Sequence, residues 1–371
     1  MSVEVELDAF VLPDDHKVFK FFPGKDYKFY DLVRTTGVAI IDVRDLDELG
    51  DDPAEWDEED VLNHIAEDRV ERAVADGAAR PSRLVRSQGD KATHTFLDGL
   101  FYKARKGDLI LMPQKGYTTD VLIGQLVDKP GKLRKIVAED DDWNYSYYGR
   151  RVKWVGVIEK RLFNTELITL LHSQAAFFDV GRSHYEEVYR LAFDNFVYDQ
   201  KFVATFRTGK NIFTPKDNFL TSVWLELLEV LEEAREEGTD LPDGTIYDLV
   251  IASDINEDDR DDLSISVQSP GWFRIRSIVA APFASLALFA MASQGVPYDQ
   301  AIAATVNAKV VRQADDTCMG DVDASVRDYI RLLGKDRWEQ ACRLAKQAEA
   351  EAKLKADATV TVQPAAKKEE D

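Results

Sequence analysis

Between Lys129 and Arg161 the chain carries nine basic side chains (Lys129, Lys132, Arg134, Lys135, Arg150, Arg151, Lys153, Lys160 and Arg161) against five acidic ones (Glu139, Asp140, Asp141, Asp142 and Glu159). The whole sequence has a formal net charge of −21, so this stretch is a local reversal of sign. Trp143, Tyr145, Tyr147, Tyr148 and Trp154 are interleaved with these charges. Guanidinium groups meet phosphate oxygens in charge-assisted hydrogen bonds, and flat rings stack on bases for about 1–3 kcal/mol each. The combination is therefore suited to binding nucleic acid. The candidate contact residues are Trp143, Tyr145, Tyr147, Arg150, Arg151 and Lys153, with Lys115 and Tyr117 joining them from a nearby turn. A plainer reading stands beside this one: Trp154 and Tyr148 fill a core, and the charges solvate a loop. Asp140, Asp141 and Asp142 count against a phosphate groove, since three carboxylates there repel it.

Residues able to perform catalysis are harder to assemble. His172 and His184 have Asp179 and Glu187 within reach in sequence, and imidazole with carboxylate suits several transition metals, but the spacing fits no ligand pattern. A metal-dependent nuclease needs an acid followed by an E-x-K pair on neighbouring strands, and none follows Lys201. Glu226, Glu229, Glu232 and Glu233 read as the solvated face of a helix. The chain shows no glycine-rich phosphate loop, nucleophile elbow or Cys/His pair. The expectation is binding without turnover: no catalytic residues, no metal site and no cofactor.

The elements that must position these residues fall into two domains, because 371 residues exceed what one core comfortably holds. The expected boundaries are 1–198, 199–355 and a disordered charged tail over 356–371. In the first domain, Asp108 to Met112, Val121 to Val127 and Val152 to Val157 read as short strands of a small twisted barrel, with 129–151 as a long loop between them. Pro53 to Ala79 and Thr95 to Lys103 read as helices. The second domain is richer in helix: 220–237, 321–333 and 335–355 carry apolar residues at helical spacing. Ser277 to Tyr298 holds no charge, which opens two readings, a buried or subunit-contact helix and a membrane-inserting segment. Two cysteines, Cys318 and Cys342, and an acidic start (Glu4, Glu6, Asp8) favour a cytoplasmic protein without an export signal.

The stretches GDLILMPQKGYTTDVLIGQLVD, RRVKWVGVIEKRLF and TELITLLHSQAAFFDV, with GVAIIDVRDLDEL before them, resemble the N-terminal domains of methyl-directed, Mrr-type restriction proteins and their PUA/EVE-like relatives. The resemblance covers roughly Phe19 to Phe193, and the C-terminal half carries none. It implies an α+β protein: an N-terminal PUA/EVE-like small β-barrel with flanking helices, then an α+β, helix-rich domain. It also implies recognition of nucleic acid, DNA favoured and in some relatives a modified base. The setting it suggests is a restriction or phage-defence system with protein partners, homo-oligomers included. The alternatives are a membrane-associated effector acting through 277–298 and a divergent metal-dependent nuclease.

Overall fold

The computed structural model describes residues 2–50, 52–116, 118–140, 143–210, 212–252, 262–266, 271–310 and 317–363. The fold mixes helices with strands and includes a sheet curled into a half-barrel. The chain forms two compact units, one of residues 15–192 and one of residues 1–14 with 193–371. The division differs from the expected cut at residue 198. Strand β1 (Ser2–Val11) belongs with the C-terminal residues, because its partners lie there. Its burial alternates strictly, as its alternating valines and acids dictate. The unit of residues 15–192 is thus an insertion in the chain of a discontinuous one.

The inserted unit begins with β2 (Val18–Phe21), α1 (Tyr30–Thr36) and β3 (Val38–Ile40). Gly37 ends α1 in the left-handed conformation, and a Cβ there would approach the Val152 carbonyl oxygen to 2.9 Å. The expected helix over 53–79 is shorter, α2 (Glu58–Ala75), started by the Asp57 carboxylate accepting from the Glu59 backbone N–H. α3 (Gln88–Asp98) follows, with a capping box between Ser87 and Asp90, and runs into a wider turn at Gly99–Lys103. Then come β4 (Leu109–Pro113), β5 (Asp120–Leu126), β6 (Arg134–Asp140) and β7 (Trp143–Glu159).

The last two strands correct the expectation of a loop over 129–151. They form an antiparallel hairpin, paired from Arg134 with Gly149 to Asp140 with Trp143. Mixed charge hid alternation that the tyrosines and Ile136 and Val137 supply. α4 (Thr165–Leu171), β8 (Phe177–Asp179) and α5 (Tyr185–Ala192) complete the unit. The strands are ordered β3-β7-β5-β4-β2-β8, with β6 also on β7. β7 is the spine: its first half pairs with β6 and β3, its second half with β5 across a bulge at Ile123/Gly124. Gly149 is required where β3 crosses it, since a Cβ would lie 2.3 Å from the Ala39 carbonyl oxygen.

The discontinuous unit continues with β9 (Phe196–Tyr198), β10 (Lys201–Thr208), α6 (Pro215–Glu237) and α7 (Ile246–Ala252). β11 (Asp262–Ser266), β12 (Gly271–Ser277), α8 (Ala281–Gln294), α9 (Tyr298–Ala301) and β13 (Thr305–Val310) come next. Helix α10 (Thr317–Gln347) is interrupted by Gly334, whose φ of 64° and ψ of 176° divide it into two helices. Two strands close the described chain, β14 (Leu354–Ala356) and β15 (Ala358–Gln363).

The sheet runs β11-β12-β10-β9-β1-β13, with β14 on β10 and β15 on β1. The row between β10 and β1 is therefore shared by β9 at one end and β14 with β15 at the other. Residues 356–363 are thus not a loose tail: ATVTVQ, alternating and β-branched, pairs antiparallel with β1. Residues 364–371 lie outside the described residues, as does most of the acidic stretch 254–262.

The uncharged segment Ser277 to Tyr298 resolves into the end of β12, helix α8 and a turn. Ala281 through Ala292 are all buried in the unit's core. At 1.5 Å per residue the 14 residues of α8 span about 21 Å, short of the ~30 Å a bilayer core requires. Among the described residues no helix is long and apolar enough to cross a membrane. Phe289 packs at the centre, edge-on to Trp224 at 5.1 Å and to Phe206 at 5.6 Å. Phe289→Ala is expected to lower the stability of this unit by about 3–5 kcal/mol. Urea unfolding measures it, and an unchanged midpoint contradicts this core.

Candidate nucleic-acid interface

The structure separates the residues that the sequence groups together. Arg150 is fully buried and is not a surface contact. Its guanidinium donates to the carbonyls of Leu100 (3.1 Å) and Ala104, at the end of the wide turn after α3, and to the carbonyl of Asp128. Helix ends leave such carbonyls without internal partners, and a cation there satisfies them. Burial, offset in part by Asp108 and Asp128, pushes the Arg150 guanidinium down to about 10, still charged near neutrality. Tyr147 is equally enclosed, its ring edge-on to Phe29 at 4.8 Å, so it is core and cannot stack on a base.

Tyr145 is half-buried beneath the Arg44 guanidinium, 4.4 Å from the ring centre. Arg44 donates to Asp68 at 2.5 Å, and Arg72 joins Asp68 at 2.9 Å to Asp42 at 2.6 Å. This ladder fastens α2 to the chain after β3. Tyr148 packs on Trp56, and Trp154 donates to the Arg34 carbonyl at 3.0 Å. Tyr117 and the side chain of Trp143 lie outside the described residues, as do Asp141 and Asp142.

Lys115 is exposed in the turn between β4 and β5, but at the far end of the sheet from Arg151 and Lys153. The β5 and β7 strands pair from Asp120 with Glu159 to Leu126 with Val152, which separates the two places by about 20 Å at ~3.3 Å per residue. Lys160, buried beside that turn, holds it by donating to the Gln114 carbonyl at 2.5 Å, to Gly116 and to Thr119 Oγ1 at 3.1 Å. Burial lowers its pKa.

What remains exposed is a strip on the outer face of the sheet. Asp128, 5% exposed, receives Arg134 Nε at 3.4 Å and Arg151 Nη2 at 3.3 Å, holding the two side by side. The register agrees: Arg134 faces Gly149 on β7, and Arg151 follows two residues on. Lys153, a further two residues along the same face, lies opposite Gln125. Lys129 and Lys132, both exposed, occupy the turn between Asp128 and Arg134, closed by a 3.2 Å backbone hydrogen bond. Lys129, Lys132 and Lys153 carry no ion pair or side-chain hydrogen bond among the described residues. Lys135, by contrast, is neutralised by Asp47 at 2.7 Å. The sequence pointed to Arg151 and Lys153 but gave no sign of Asp128, whose role depends on where the β5–β6 turn brings it.

Among the described residues no group of three or more His, Cys, Asp or Glu side chains comes together to hold a metal ion. Asp179 accepts instead from the Tyr185 hydroxyl at 2.6 Å, and Glu187 from the Asn164 side chain at 2.5 Å.

Lys20, fully enclosed on β2, is a further buried cation, donating to the Ser173 carbonyl, to Ser173 Oγ at 3.3 Å and to the Ala175 carbonyl at 2.9 Å. Burial lowers its pKa from 10.5 to about 8. From pH 8 to 10.5 the unfolded chain keeps this proton while the folded chain releases it, so folding strengthens as pH rises; below pH 8 the full cost of burying the charge applies. Wild-type stability is expected to gain about 1–3 kcal/mol between pH 8 and pH 10 relative to Lys20→Met. Urea midpoints of the two proteins across that range measure it, and parallel curves refute it. Compared with family models, with curated proteins and with solved structures, the chain matches none.

Proposed function

We propose that the inserted unit is a PUA/EVE-like recognition module that binds nucleic acid through its phosphates. The observation that supports this reading is the outer strip in which Asp128 aligns Arg134 and Arg151 among exposed Lys129, Lys132 and Lys153. Five cations lie on this strip, two of them paired with one buried carboxylate, in a chain whose formal net charge is −21. Such density on an acidic protein attracts a polyanion locally and repels it elsewhere, which orients the encounter. Base stacking has less support, since Tyr147 is core and Tyr145 is covered by Arg44. The reading therefore favours backbone contact, with DNA as the first polymer to test and sequence preference weak. Turnover forms no part of the proposal.

The triple variant Lys129→Gln/Lys132→Gln/Lys153→Gln leaves the Asp128 pairs intact. It is expected to weaken binding to short single- and double-stranded DNA at least about tenfold at low salt. It should also reduce the slope of log Kd against log salt by about 0.7–0.9 for each lysine that meets a phosphate. Filter binding or anisotropy reads both quantities, with RNA as a parallel arm. Wild-type protein that shows no salt-dependent binding, or a triple variant with the wild-type slope, removes this function.

A further inference from the structure

In the discontinuous unit, Gly334 restarts the last long helix, so residues 335–347 form a helix of their own. Lys335, Glu339, Cys342, Arg343 and Lys346 recur at spacings of three and four and share one face. That face and the turn at 295–299 enclose a cleft of about 430 Å³. Buried Trp338 fastens its floor, donating from Nε1 to the Val296 carbonyl at 2.8 Å. Lys346 lies across the turn: a Cβ at Gly295 would stand 3.0 Å from its Cε.

Lys335, Arg343 and Lys346 make no ion pair or hydrogen bond with any described residue, although Asp299 and Glu339 line the same cleft. Burial pushes the Cys342 thiol up to about 11, against the pull of Lys346 and Arg343. Burial and the neighbouring Glu339 thus keep the thiol protonated near neutrality; Arg343 and Lys346 line the same cleft.

We propose that this cleft binds a phosphomonoester of about mononucleotide size. Arg343 and Lys346, one helical turn apart, take the phosphate, since guanidinium and ammonium donors on one face match its oxygens. The body of the ligand extends along Tyr298 over the floor that Trp338 supports, and Glu339 and Asp299 accept from its hydroxyl or amino groups. Three cations against two carboxylates leave the cleft a surplus of one positive charge. A volume of about 430 Å³ suits a ligand of that size. The site is separate from the basic strip of the inserted unit, and the proposal does not rest on the nucleic-acid reading.

Titration calorimetry of the full chain with adenosine 5′-monophosphate, adenosine and inorganic phosphate tests it. The nucleotide is expected to bind best, with adenosine and inorganic phosphate each at least about tenfold weaker. Arg343→Gln/Lys346→Gln, both on an exposed helix face, should retain the wild-type circular dichroism and lose at least about tenfold in affinity for the nucleotide, while the Lys129/Lys132/Lys153 variant keeps it. Absence of binding to the wild type at about 5 mM nucleotide, equal affinity in the double variant, or inorganic phosphate binding as tightly as the nucleotide overturns the assignment.

Discussion

A guanidinium with carbonyls for company sits at the centre of the inserted unit. Arg150 collects the carbonyls of Leu100 and Ala104 at one helix end and of Asp128 in a turn, two places well separated in the chain. A buried charge is costly unless its donors find partners, and here Nη1 and Nη2 donate to three carbonyls, while the buried Nε has no hydrogen-bond partner among the described residues. The consequence is positional. With Arg150 fixed inward on β7, its neighbour Arg151 must point outward, and the Asp128 turn that Arg150 holds by its backbone presents its side chain to Arg151 and Arg134. The basic strip is thus the outer side of an inner constraint.

Lys20 and Lys160 repeat the arrangement. Each is buried, each donates to backbone carbonyls and a hydroxyl, and neither has a carboxylate in hydrogen-bonding range. In a chain with 68 acidic residues against 47 basic ones, three such cations were spared pairing and used to close loops. Acidic groups do enter interior networks elsewhere, as in the Arg44–Asp68–Arg72–Asp42 ladder, where each charge has its opposite.

Much of the framework was legible in the residues. The helix expected over 220–237 is the greater part of α6, which starts earlier at Pro215 and ends before Gly238, and strands β4 and β5 lie where their apolar runs put them. The β6–β7 hairpin was not, because a charged tyrosine-rich stretch reads as a loop until its partner strand is known. The site was half legible. Composition marks the basic stretch, but whether an arginine in RRVKW faces in or out depends on the strand's phase, and adjacent Arg150 and Arg151 fall on opposite sides. Asp128 and the buried lysines act through carbonyls, which leave no trace in side-chain spacing. The domain boundary was misplaced for a related reason: β1 pairs with β13 and β15, contacts separated by most of the chain.

That separation sets an order for synthesis on the ribosome. β1 is made well before the residues that flank it on both sides, 305–310 and 358–363. At about 5–20 residues per second the first strand waits roughly 20 to 70 seconds, with its hydrogen-bonding edges open, while the inserted unit has all its residues and can fold. The alternating glutamates and aspartate of VEVELDAF keep one face of that waiting strand charged, a native safeguard against premature pairing with another nascent chain.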